Sequence, residues 1–321
     1  MTVSNHTSRR TTERALVPGI YIPTVAFFDP DTEDLDLDAT ARHAVRLVSC
    51  GAAGLAVQGS NGEAVHLTRD ERRLVVETTR SALRDAGFES TPLLVGCGAQ
   101  STRETLALCR EAHKAGGDFA LVLPPSYYGG LFARETVLEF FRDVADQSPI
   151  PLVIYNYPGA TPSVDLSSDV IISLGSHPNI VGCKFTCGNT GKLARVAAAF
   201  RGKGKGEFLC FAGSADFTLP ALAAGGAGVI GGVANVAPKA CVKLFDLYQS
   251  GAQKETRSLQ EVVGRGDWAA IQSGVIGVKV ALQEYFGYGA WARKPLPRPS
   301  GAERQAIVDG FRELVELEKT L

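Results

Sequence analysis

The sequence lacks what several large classes of protein require. No apolar run approaches the roughly 20 residues that span a bilayer, and no basic stretch leading into an apolar one opens the chain, so a membrane-spanning or secreted protein is disfavoured. Neither sign of charge is in excess: 33 Lys and Arg against 34 Asp and Glu leave a net charge of -1. That field is too weak to gather nucleic acid or an anionic membrane, and neither is expected as a partner. Metal-ligand spacing is missing, because His6, His43, His66, His113 and His177 are scattered and form no HxxxH pattern. The seven cysteines make an odd count, and most sit in apolar runs such as LLVGCGA and FLCFAG. They read as buried, reduced thiols of an intracellular, cytoplasmic protein. Cys183 and Cys187, spaced C-x3-C, read as structural rather than as zinc ligands.

Other absences narrow the motifs. Gly226-Ala-Gly228-Val-Ile-Gly231 satisfies GxGxxG, but its glycines run into an apolar stretch instead of following one, so it reads as a tight turn and not as a dinucleotide site. The acidic run from Asp29 to Asp38 has neither the central Gly nor the terminal Glu of a calcium loop and reads as a polar loop capping the next helix. The basic stretch RGKGKGE (201 to 207) is most simply a solvated turn. The first 17 residues hold three arginines and one acid, Glu13, the composition of a disordered leader or of a mitochondrial-type targeting peptide.

What is present is a rhythm. Eight short, β-branched apolar runs recur: 20 to 28, 54 to 58, 92 to 97, 119 to 124, 151 to 156, 179 to 184, 207 to 213 and 227 to 233. Their near-continuous hydrophobicity suits parallel strands covered on both faces. Segments of helical period lie between them, many opening on Ser, Thr or Asp and closing on Gly, as capped helices do. Eight such units over about 235 residues fit a (β/α)8 TIM barrel, with a doubly wound open sheet as the alternative. After residue 235 the strand signal stops and four helical stretches follow, among them QKETRSLQEVVG and DWAAIQSGVIGVKVALQEYFG. The expected organisation is a leader over 1–17, a barrel over 18–235 and a C-terminal helical extension over 236–321.

In a parallel barrel, chemistry gathers where strands end and βα loops begin. Four groups meet that rule: Gln58 to Glu63, Ser126-Tyr127-Tyr128, Tyr155 and Lys184. Lys184 closes the apolar run NIVGCK, where partial desolvation favours the neutral, nucleophilic amine. A lysine reaching to the rim or paired with an acid is the other reading. Tyr155 ends PLVIY in the adjacent unit, placing a phenol beside that amine as a proton shuttle, or else an ordinary core tyrosine. Gly59-Ser60-Asn61-Gly62 offers backbone N–H, hydroxyl and amide groups for a carboxylate, and equally makes a turn with a helix cap.

Taken together, GSNGEAVHLTRDER, LPPSYYGG, YNYP at 155 to 158, NIVGCKFTCGN, FAGSADFTLPALAAGGAGVIGGVANVAP and FGYGAWARKPL resemble the dihydrodipicolinate synthase and N-acetylneuraminate lyase superfamily over about residues 18 to 315. The resemblance implies that Lys184 forms an imine with a 2-oxo acid and that Tyr155 moves protons. It further implies that Ser60 links Tyr155 to Tyr127 of a neighbouring subunit, and that Gly59, Ser60 and Asn61 hold the carboxylate. Gly213 and Ile230 would line the pocket through their main chain. It implies a homotetramer built from dimers, needing no metal or organic cofactor and acting on a small 2-oxo acid. Ala160 stands where synthases carry an arginine, and the Ser-Asn pair with Thr186 is closer to 4-hydroxy-2-oxoglutarate and 2-keto-3-deoxy sugar-acid aldolases. The expectation is a carbon–carbon lyase that splits a 4-hydroxy-2-oxo acid into pyruvate or glyoxylate and an aldehyde. The rivals are the synthase condensation and, from another class, a non-catalytic barrel that binds 2-oxo acids.

Overall fold

A computed structural model describes residues 14–162, 164–202, 208–289 and 291–321, so most of the leader and the core of the RGKGKGE turn lie outside the described residues. Eight parallel strands close into a barrel in sequence order. They are β1 (Gly19–Ile22), β2 (Gly54–Val57), β3 (Leu93–Gly96), β4 (Phe119–Val122), β5 (Leu152–Asn156), β6 (Ile180–Phe185), β7 (Leu209–Ala212) and β8 (Gly228–Ile230). The helices are α1 (Leu37–Ser49), α2 (Arg69–Asp85), α3 (Thr102–Lys114), α4 (Arg134–Gln147), α5 (Ser168–Gly175), α6 (Thr190–Phe200), α7 (Thr218–Ala223), α8 (Pro238–Gln249), α9 (Gln253–Phe286) and α10 (Gly301–Thr320).

The strands are apolar on both sides because each side meets a different core. Tyr21, Ala56, Leu94, Val153, Tyr155 and Ile230 point into the barrel, while their neighbours Ile20, Ile22, Leu55 and Val57 pack outward on the helices. Period-2 alternation is therefore invisible in the sequence. The strands are shorter than the apolar runs that announce them. In the first run, Ile22 is followed by Pro23, which has no N–H to give a ladder, and β1 stops there. The barrel closes between β8 and β1, with Gly19 opposite Gly228. A side chain on Gly228 would lie 1.9 Å from the Gly19 carbonyl oxygen, so one glycine of the GxGxxG run exists for strand closure.

The caps are as the composition suggests. Asp36 accepts from the Ala39 N–H at 2.8 Å to start α1, Asp29 turns the acidic loop by accepting from Asp31 and Thr32 at 2.9 Å each, and Thr68 and Glu71 form a capping box on α2. The helical extension differs from the expectation in one respect. QKETRSLQEVVG and the start of DWAAIQSGVIGVKVALQEYFG run on without a break in α9, whose 34 residues are two helices meeting at a kink. Gly266 does not end it, because a side chain there would meet Leu314 at 2.4 Å: the glycine lets α9 and α10 approach closely. The break falls instead at Gly274 (φ 59°, ψ -152°), a conformation open essentially to glycine alone.

Candidate active site

The parallel register brings the chemistry together. Tyr155 on β5 lies opposite Lys184 on β6, which lies opposite Phe211 on β7. Both side chains are buried at the mouth of the barrel, each 4 % exposed. The Lys184 ammonium nitrogen sits 4.2 Å from the centroid of the Tyr155 ring, over its face rather than at its hydroxyl. The Tyr155 hydroxyl instead faces Ser60 Oγ at 3.4 Å, a long hydrogen bond. Tyr157 stacks on Tyr155 with centroids 5.7 Å apart, and burial together with that neighbour raises its phenol above the ordinary range.

Because Asn156 pairs with Phe185 and Phe185 with Ala212, the next residues outward, Tyr157, Thr186 and Gly213, form the following layer. A cavity of about 230 Å³ opens there, walled by Ser60, Asn61, Tyr155, Lys184, Thr186 and Gly213. Thr186 Oγ1 is buried and has no hydrogen-bond partner among the described residues. A buried hydroxyl without a partner is uncommon in a folded protein. Asn61 lies against the chain at Gly232, where an added side chain would come within 2.8 Å of its amide nitrogen.

Three residues picked out from the sequence lie elsewhere. Gly59 borders a neighbouring cavity of about 410 Å³ that shares Ser60 and Tyr155 with the first. Ile230 is fully buried inside the barrel. Tyr127 is 80 % exposed, packed edge-on against Tyr128 with its backbone N–H donated to Gln100 Oε1 at 2.9 Å, so within one chain it does not reach Ser60.

The contribution of α9 was not anticipated. Asp267, Ala270, Ile271, Gly274 and Val278 form one side of the cavity. Asp267 accepts the Ala215 and Asp216 N–H groups at 2.6 and 2.8 Å, tying the β7 loop to α9. Burial, with the nearby Asp216 charge, pushes its carboxyl up to about 7. The available signal was a lone acid inside an otherwise apolar stretch of helix, followed seven residues later by Gly274. No group of three His, Cys, Asp or Glu suited to a metal occurs among the described residues, and no helix there is long and apolar enough to cross a membrane.

A buried lysine at the C-terminal mouth of a (β/α)8 barrel, flanked by a tyrosine and a hydroxyl-rich loop, stands where parallel barrels place their active sites. The sequence profile of the Dihydrodipicolinate synthetase family matches residues 17–312, and the chain belongs to that family. It is 53% identical to a protein of Emericella nidulans described as a probable mitochondrial 4-hydroxy-2-oxoglutarate aldolase, over 96% of this chain and 98% of the relative. It is 51% identical to the L-threo-3-deoxy-hexylosonate aldolase of Hypocrea jecorina, over 94% and 98%. Among solved structures, a dihydrodipicolinate synthase family protein of Coccidioides immitis superposes with a TM-score of 0.84 at 36% identity, covering 95% of this chain and 98% of that one.

Proposed function

We propose that the chain is a class I aldolase that cleaves a 4-hydroxy-2-oxo acid, either 4-hydroxy-2-oxoglutarate or a 2-keto-3-deoxy sugar acid, through an imine on Lys184. The observation that carries this reading is the burial of Lys184 against Tyr155 in a cavity whose wall includes the Ser60-Asn61 loop. The names of the relatives at 53% and 51% identity support the substrate class.

The chemistry runs as follows. The free amine of Lys184 adds to the C2 carbonyl, and loss of water gives a protonated imine. That imine is an electron sink. Tyr155 takes the proton from the C4 hydroxyl, the C3–C4 bond breaks, its electrons pass into the imine to give an enamine, and the aldehyde leaves. Protonation of the enamine at C3 and hydrolysis release pyruvate and regenerate the amine; from 4-hydroxy-2-oxoglutarate the departing aldehyde is glyoxylate. Ser60 relays the Tyr155 proton, and the Ser60 and Asn61 groups, with backbone N–H donors beside them, hold the substrate carboxylate. Ala160 offers only a methyl group toward the neighbouring cavity, which disfavours condensation with a second carboxylate-bearing substrate. The exposed pair Tyr127 and Tyr128 suits insertion into a second copy of the chain, in keeping with a homotetramer assembled from dimers.

Borohydride reduction with pyruvate should leave one stable adduct on Lys184, and Lys184→Ala should lose both the adduct and pyruvate release. An adduct on any other lysine would sink the assignment.

A further inference from the structure

The loop that carries Ser60 and Asn61 is bent at both ends by residues that seldom bend this way. Gln58 (φ 58°) and Glu63 (φ 48°) both sit in the left-handed region without being glycine. The loop is also tightly seated, because a side chain on Gly62 would lie 2.8 Å from the Gln58 nitrogen. Such a conformation persists only where its surroundings impose it. The fastening at the Glu63 end is ionic and buried. Glu63 and Lys279 are 2 % and 1 % exposed, with Lys279 Nζ donating to Glu63 Oε1 at 2.5 Å.

The second carboxylate oxygen, Oε2, accepts the Arg293 backbone N–H at 2.9 Å and faces His66 Nδ1 at 3.0 Å. Lys279 also donates to the Trp291 carbonyl at 3.1 Å and lies 4.5 Å from the centroid of the Phe28 ring. The Arg293 guanidinium caps the same ring at 4.3 Å and grips Glu71 through two bonds of 2.6 and 3.0 Å. Lys279 follows directly on Val278, which lines the catalytic cavity. One carboxylate thus fixes the anion-holding loop to the helix that walls the same cavity.

We infer that Glu63 is a positioning residue for substrate binding: through Lys279 and the Arg293 backbone it sets Ser60 and Asn61 against the 2-oxo acid carboxylate. This rests on the proposed imine at Lys184. Its role is in holding the ligand, and the amine chemistry itself stays intact without it.

The test is the pyruvate concentration that half-saturates borohydride trapping. Glu63→Asp keeps the charge but shortens its reach by one methylene, and it should raise that concentration roughly tenfold or more, as small misplacements of binding groups do. At saturating pyruvate, trapping on Lys184 should remain complete. In the double variant Glu63→Gln with Lys279→Met no buried charge is left unpaired, so thermal stability should return toward wild type, while half-saturation should stay raised. Wild-type half-saturation in Glu63→Asp, or in a double variant of wild-type stability, overturns the inference and leaves Glu63 a structural ion pair. Wild type taking no adduct at all would instead overturn the imine on which the inference stands, so the two failures are told apart.

Discussion

Replacing Gly213 by alanine tests how closely β7 and β6 must approach at the mouth of the barrel. The added carbon would stand 2.1 Å from Thr186 Oγ1, 2.4 Å from Thr186 Cα and 2.6 Å from Thr186 Cβ. Ordinary contact between carbons is about 3.5 to 4.0 Å. The hydroxyl can rotate away but the Cα cannot, so the two loops must part by about 1 Å. Overpacking of this kind costs about 1 to 3 kcal/mol, and a clash with backbone belongs at the upper end. For a chain of this length that lowers the melting temperature by about 6 °C, taking about 2 °C per kcal/mol. Thr186 lies two residues beyond Lys184 on the same strand end, so catalysis should suffer with stability, by roughly a hundredfold for a 1 Å displacement. Gly59→Ala is the matched control, since nothing lies within 4 Å of its added carbon. It should stay within about 0.5 kcal/mol of wild type. Thermal unfolding followed by circular dichroism, with pyruvate release measured alongside, reads both quantities. If Gly213→Ala melts within 2 °C of wild type (~1 kcal/mol) and keeps its turnover, the packing argument is wrong.

Two further outcomes are expected. Asp267 has a folded-state pKa of about 7 against 3.8 for the free carboxyl, raised by burial and then by Asp216; the folded protein therefore holds its proton more tightly than the unfolded chain. Stability from this group is present below the free value and is lost as pH rises from about 4 to 7, by at most about 4 kcal/mol at 1.36 kcal/mol per unit. Asp267→Asn should remove that decline, and a difference curve of melting temperature between the two proteins that is flat across this window would contradict it. Tyr127→Ala should leave the fold unchanged, because the side chain is exposed within one chain, yet should lower the assembled mass seen by light scattering or cut turnover about tenfold or more as a lost proton relay. A variant with unaltered mass and turnover would exclude the tyrosine from the site.

The barrel was legible because parallel strands buried on both faces leave continuous apolar runs, and because capping residues such as Asp36, Thr68 and Ser101 stand where helices begin. Strand ends were less legible. The run from 20 to 28 continues apolar after β1 stops, since Val25, Phe27 and Phe28 are still core residues in a loop. Lys184, Tyr155, Ser60, Asn61, Thr186 and Gly213 converge, as position at strand ends suggests. Periodicity says nothing of how α9 lies over the mouth, so Asp267, Ile271 and Gly274 could not be assigned to the site from the sequence. Nor does local pattern reveal an ion pair such as Glu63 with Lys279, whose partners are 216 residues apart.

That separation also orders events while the chain is being made. The loop bearing Ser60 and Asn61 is synthesised early, but Lys279 and the Arg293 N–H that fasten it come 216 and 230 residues later. At about 5 to 20 residues per second, the interval is roughly 10 to 50 s. All eight strands are complete well before then, so a nascent barrel can close around Lys184 while its Ser60-Asn61 loop is still unfastened. On the ribosome, architecture precedes positioning, and residues from late in the chain fasten a loop encoded near its start.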